Sequence, residues 1–175
     1  MFFFGHLGIG KKLVSPFTKK LPVKWVLIGA VLPDLIDKPL YYGLSWFEGK
    51  RGDELGLISG TRTFGHTAIL LLGVTLVAVA RKSRWAAALA LGITSHFLLD
   101  GVSDSLQILG QSPGHSELVL ALFWPLLGWH FPTVPYRDLG EHLSIWNRPV
   151  LVWGEVIGAI LLYLDYLKIR RFKEH

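Results

Sequence analysis

Ser95-His96-Phe97-Leu98-Leu99-Asp100 decides how this chain reads. It sets a histidine and an aspartate four residues apart, at the end of an apolar run that begins at Trp85. Positions i and i+4 of an α-helix share one face, so imidazole and carboxylate converge on one point, as two ligands of a metal ion must. The flanking residues, Ala88-Leu89-Ala90-Leu91-Gly92-Ile93-Thr94 before and Phe97-Leu98-Leu99 between, suit a buried or lipid-facing helix. An aspartate and a histidine are unfavourable there unless something pairs with them. This stretch leaves two readings open. One is a metal site in the outer part of a helical bundle; the other is a His–Asp hydrogen bond that merely satisfies two polar groups.

Working outward, 51% of the 175 residues are apolar, only 18% are charged, and the mean hydropathy is +0.41. An ordinary soluble domain is nearer a quarter charged. The length suits one domain, residues 1–175. The absence of cysteine excludes disulfides, thiolate ligands and a cysteine nucleophile, so any metal must be held by His, Asp and Glu. The net charge of +5 does not imply nucleic acid, because the basic residues form short clusters between apolar runs, where a membrane protein carries them. No cleavable signal peptide is evident at Met1-Phe2-Phe3-Phe4.

Other segments supply more groups of the same kind. Residues 1–14 hold His6 in an apolar stretch too short to span a bilayer, which needs ~20 residues; a re-entrant helix is expected. In Leu32-Pro33-Asp34-Leu35-Ile36-Asp37, two carboxylates three apart share a helical face and repel unless a cation lies between them. The alternative is a capping aspartate after a break at Pro33, with Lys38 as ion-pair partner of Asp37. Residues 43–63 read as a loop, with a short helix within it as the alternative. Thr61-Arg62-Thr63-Phe64-Gly65-His66-Thr67 opens the next apolar helix, where Thr63 or Thr67 can cap the helix or orient the imidazole and Arg62 suits an anion. Asp104 follows Asp100 and reads as a solvated residue unless the helix continues past Gly101.

Residues 101–149 read as a long outer connection or lid, rich in His115, Trp124, Trp129, His130, Phe131, Tyr136, His142 and Trp146, with an interfacial helix in its apolar run. The fold expected is all-α: a polytopic membrane bundle of about four transmembrane helices near 23–42, 66–80, 85–101 and 150–167. The basic clusters at 11–24, 81–84 and 168–173 then share one side, which the positive-inside rule makes cytoplasmic. Asp34, Asp37, His66, His96 and Asp100 all fall toward the opposite side. A soluble helical bundle is the alternative fold, since the apolar runs are short, but the polar outer faces it requires are missing.

The ordered set of His6, Leu32-Pro33-Asp34-Leu35-Ile36-Asp37, Arg62-Thr63-Phe64-Gly65-His66-Thr67, Ser95-His96-Phe97-Leu98-Leu99-Asp100 and Phe123-Trp124-Pro125 resembles the YdjM-like family (domain of unknown function 457) over roughly residues 1–130. That resemblance implies an inner-membrane, metal-dependent hydrolase. The order of ligands also looks like that of zinc-dependent phospholipase C and nuclease P1, which implies phosphate-ester cleavage and the ligands His6, Asp34 or Asp37, His66, His96 and Asp100. The chain departs from these patterns. Thr61 stands where a histidine usually precedes the arginine, Gly65-His66-Thr67 replaces Thr-His-Ser, and no second His-x-x-x-Glu follows, His115 and Glu117 being two apart. One or two metal ions are therefore expected, zinc first and manganese second.

On this reading Asp37 or Asp104 serves as general base and Arg62 holds the substrate anion, a phospholipid or lipid-linked phosphate at the outer layer of the membrane. The alternative function is a membrane transporter or metal carrier that uses the same intramembrane Asp and His residues. A third reading makes the polar residues structural glue in a bundle that binds no metal.

Overall fold

The computed structural model describes residues 3–110, 117–133, 140 and 149–173. Among these residues it is all-helical, as expected. Six α-helices follow in order: α1 (Phe3–Val14), α2 (Val23–Glu48), α3 (Ala68–Ala80), α4 (Arg84–Gly110), α5 (Glu117–Leu122) and α6 (Pro149–Lys173). Short 3-10 turns lie at Ser15–Phe17, Gly52–Leu55 and Phe64–His66.

Helix α4 is the axis of the bundle, with α1, α2, α3, α5 and α6 all packed on it. Its apolar face forms a core of Leu89, Ile93 and Phe97 with Leu118 of α5, flanked by Trp25, Leu32, Leu70, Leu71 and Val74. A smaller cluster of Val14, Val26 and Ala88 closes the other end. Close approach of backbones replaces large side chains at two crossings. A Cβ on Gly92 would lie 2.3 Å from the Val26 carbonyl oxygen, and one on Gly29 2.2 Å from that of Leu89. Between α1 and α6, a Cβ on Gly8 would lie 2.0 Å from the Gly158 oxygen. Small residues at helix crossings are how membrane helices gain contact where apolar burial alone drives little association.

The chain departs from the sequence expectations in three places. Neither Pro33 nor Pro39 ends α2, which runs on to Gly49, a left-handed C-cap at φ 64°; each proline removes one helical hydrogen bond but leaves the helix continuous. Residues 43–48, expected in a loop, are therefore helical. His66 lies in the 3-10 turn before α3 and not in the helix, while Thr67 is the cap, accepting from Leu70 N at 3.3 Å. The outer connection begins later than Gly101, because α4 continues to Gly110. His115, Tyr136, His142 and Trp146 lie outside the described residues.

Among the described helices, only the Arg84–Leu106 part of α4 is both long and apolar enough to cross a membrane by length and composition. Helix α3 is apolar throughout but has 13 residues, roughly 20 Å at 1.5 Å per residue, against a hydrocarbon core of about 30 Å. Its outer face is apolar all the same: Leu72, Leu76 and Val79 are exposed, as are Trp153, Ile160 and Tyr163 on α6.

The glycine crossing makes a prediction. Gly92→Ala in detergent-solubilised protein should lower stability by about 1–3 kcal/mol, because the methyl group has no room. Gly73→Ala, with nothing within 4 Å, should be neutral or raise stability by up to ~1 kcal/mol through helix propensity. Thermal unfolding of the two variants beside the wild type checks both.

Candidate metal centre

Four chain segments bring polar side chains to one buried point. Helix α4 supplies His96 and Asp100 on one face, as their i,i+4 spacing requires, with Nε2 and Oδ2 3.7 Å apart. The turn before α3 supplies His66, whose Nε2 lies 3.2 Å from His96 Nε2. Helix α2 supplies Asp34, with Oδ1 3.8 Å from His66 Nε2. Helix α1 supplies His6, with Nε2 3.3 Å from Asp100 Oδ1 and its ring stacked on that of His96 at 3.8 Å. His6, His66, His96 and Asp100 are buried, and Asp34 is half-buried. Two triads of donors arise, His6–His96–Asp100 and Asp34–His66–His96, each within the reach of one ion.

The far side of each central imidazole is fixed. His96 Nδ1 lies 2.8 Å from the Ala30 carbonyl oxygen, which can only accept. His66 Nδ1 lies 2.7 Å from Asp37 Oδ2, and Asp37 also accepts from Thr63 N, Thr63 Oγ1 and Gly65 N at 2.7–2.8 Å. Both Nδ1 atoms therefore carry a hydrogen, and in their neutral form the two rings turn Nε2 lone pairs toward each other at 3.2 Å. Two lone pairs at that distance repel unless a proton or a cation lies between them. The spacing suits a metal: two nitrogens bound at 2.0–2.1 Å to one tetrahedral zinc are roughly 3.3 Å apart.

Charge points the same way. Among the described residues, Asp34, Asp37, Asp100 and Asp104 face Lys38 and Arg62. With the more exposed Glu117 also on Arg62, carboxylates outnumber the two cations, so the cluster carries excess negative charge and suits a cation.

Several expected roles change. Asp37 engages four donors, all from residues 63–66, so it orients His66 and has no lone pair left over as ligand or general base. Lys38 pairs with Asp34 (2.6 Å) and not with Asp37, because i,i+4 places those side chains together. Asp104 is not a solvated residue. It is buried on the same face as His96, holds Arg62 Nη1 with both oxygens at 2.8 Å, and accepts from Leu118 N. Arg62 contacts Asp100 at 3.2 Å and Glu117 at 3.7 Å as well, so it ties α4 to α5 and is not open to a substrate anion. Burial alone would push the Arg62 guanidinium down, but Asp100, Asp104 and Glu117 outweigh it and hold it above its ordinary value.

Sequence reasoning missed the supports of the cluster. Gly65 is required because a Cβ there would lie 2.5 Å from the Pro33 carbonyl oxygen and 3.1 Å from Asp37 Cγ. Glu155 of α6 caps α1, accepting from Phe4 N at 2.8 Å and Gly5 N at 2.9 Å; these are orphan donors at a helix start, one turn from His6. The signal available was Glu155 itself, an acid within the apolar run of that helix. Phe64, Trp124 and Phe131 form an aromatic cluster next to the His66 turn, with Trp124 and Phe131 stacked at 5.0 Å.

An all-helical bundle with a histidine–carboxylate cluster in its interior, suited to a divalent cation, is what fold and site define. The chain belongs to the YdjM inner membrane protein family, which it matches over residues 1–171. Neither a curated protein nor a solved structure matches it. The likeness to zinc-dependent phospholipase C and nuclease P1 therefore gains no support from these comparisons.

Two stability predictions follow from the supports. Asp37→Ala leaves Thr63 N and Gly65 N buried without their acceptor and should lower stability by roughly 3 kcal/mol or more. Arg62→Met leaves Asp100 and Asp104 without their cation and should lower it by about 3–5 kcal/mol. Thermal unfolding in detergent, beside Lys50→Gln as an exposed control, reads both.

Proposed function

We propose that this chain is a membrane-embedded, metal-dependent hydrolase that cleaves a phosphate ester of a lipid or lipid-linked substrate. The observation that carries the metal reading is the approach of His66 Nε2 and His96 Nε2 to 3.2 Å, flanked by Asp34 and Asp100. Zinc is the ion this donor set suits best, with manganese second. His96 has one ring nitrogen free, and one nitrogen lone pair binds one ion, which favours a single metal shared by His6, Asp34, His66, His96 and Asp100. Zinc bound there would lower the pKa of water from 15.7 to roughly 7 and so supply hydroxide at neutral pH.

The chain's own residues would do the remaining work. Asp37 and the Ala30 carbonyl hold the two rings in the tautomer that presents Nε2. Arg62, itself held by Asp104, holds Asp100. Asp34 is the most exposed carboxylate of the cluster and replaces Asp37 and Asp104 as the candidate to take a proton from attacking water. Lys38, beside it at 2.6 Å, replaces Arg62 as the cation offered to the substrate anion. In the reaction, water oxygen bonds to phosphorus, the ester P–O bond breaks, and the proton passes to the leaving alkoxide.

A four-span topology, with α2, α3, α4 and α6 embedded and both basic ends cytoplasmic, is part of the same proposal. The exposed apolar faces of α3 and α6 support it. So does the ion pair between Lys11 at the end of α1 and Asp165 near the end of α6, which brings those two ends to the basic side.

Elemental analysis of the purified wild type should find about one zinc or manganese per chain, lost in His96→Ala and His66→Ala. Phosphate-ester hydrolysis should fall in step with metal content. Asp37→Asn should weaken metal affinity roughly 10–100-fold, as loss of a partner behind a ligating histidine does. A wild type that takes up no metal even after reloading would sink the mechanism. Stoichiometric metal with no hydrolysis, but with ion uptake into sealed vesicles that Asp34→Asn abolishes, would establish the carrier instead.

A further inference from the structure

The end of the bundle away from the histidine cluster holds a second feature. A cleft of about 1110 Å³ opens where the α1–α2 loop meets the α3–α4 turn. Five cations line it: Lys19, Lys20, Arg81, Lys82 and Arg84, with no acidic residue among the lining. Along α4, Arg84 precedes His96 by twelve residues, so the two sites are roughly 18 Å apart at 1.5 Å per residue.

Among the described residues, no acidic side chain pairs with these five cations. Lys11, Lys38, Lys50 and Arg62 make their ion pairs elsewhere. Five like charges around one concavity repel each other, and an anion relieves that repulsion. The turn that gathers them is itself specialised: Lys82 is held at φ 46°, the only non-glycine residue described with positive φ. Ser83 caps α4 by accepting from Ala86 N, so the positive end of that helix meets the same cleft.

The walls say which anion. Leu21, Val77 and Trp85 line the cleft beside the cations. The outer face of α3 continues the apolar surface through Leu76 and Val79, both exposed. A phosphate group over the cations with acyl chains along α3 satisfies both surfaces, whereas a free phosphate satisfies only one. We infer that this cleft binds the headgroup of an anionic phospholipid, at the basic end of the bundle and apart from the proposed hydrolytic site. Basic pockets between membrane helices hold such headgroups by the same chemistry.

Amine labelling of the wild-type protein tests the assignment. Reconstitution with phosphatidylglycerol in phosphatidylcholine should slow acetylation of Lys19, Lys20 and Lys82 about tenfold relative to phosphatidylcholine alone, and inorganic phosphate should not. Native mass spectrometry should find one anionic lipid retained per chain. The triple variant Arg81→Gln, Lys82→Gln, Arg84→Gln should weaken that retention on the order of 100-fold, at roughly fivefold per basic residue removed. The variant Lys168→Gln, Arg171→Gln should keep the lipid. Equal loss in both variants would show a diffuse surface charge and overturn the site; equal protection by inorganic phosphate would overturn the lipid. Should the triple variant not fold, the labelling of the wild type decides alone.

Discussion

Two imidazole nitrogens 3.2 Å apart, each with its partner nitrogen committed elsewhere, are the constraint on which the rest of the site depends. A ring nitrogen that faces a carbonyl oxygen must donate, and so must one that faces a carboxylate already filled by three other donors. Both hydrogens are thereby sent away from the shared point. The remaining lone pairs face each other within a shell of Asp34 and Asp100 oxygens. Such an arrangement is compatible with a bound cation, because buried polar groups left without partners are unfavourable.

The surrounding structure holds that geometry by close backbone contact. Gly29 and Gly92 let α2 meet α4 without intervening side chains, which brings the Ala30 carbonyl within reach of His96. Gly65 lets the turn before α3 lie directly on α2, so that Asp37 takes three donors besides His66. Glu155 fixes the start of α1 and with it the approach of His6. Each of these residues acts through a histidine of the cluster and touches no common point itself. Arg62 has a different part: it neutralises the second carboxylate of α4 and ties that helix to α5, so Asp100 can turn its charge toward the cluster.

The two ends of the bundle carry opposite chemistry. One gathers carboxylates and imidazoles beneath an aromatic cluster, and the other gathers lysines and arginines around a cleft. A family that resides in the inner membrane meets different surroundings at its two ends. The outer faces of α3 and α6 between them are apolar.

Much of this was legible in the chain alone. The apolar runs and scarce charges indicated helices, and the i,i+4 spacing of His96 and Asp100 set two donors on one face by helix geometry. The absence of cysteine limited the donors to oxygen and nitrogen. What local spacing cannot encode is which of several acids faces the shared point. Asp34 and Asp37 are equivalent in sequence, three residues apart, yet the tertiary fold turns one toward the cluster and surrounds the other with the 63–66 turn. Asp104 became a buried partner of Arg62 only because α4 continues beyond Gly101, and Arg62 lost its openness to a substrate for the same reason. Helix periodicity is a property of neighbours along the chain, and it was readable. Pairings between segments 26 to 154 residues apart depend on how helices cross, and only the tertiary structure decided them.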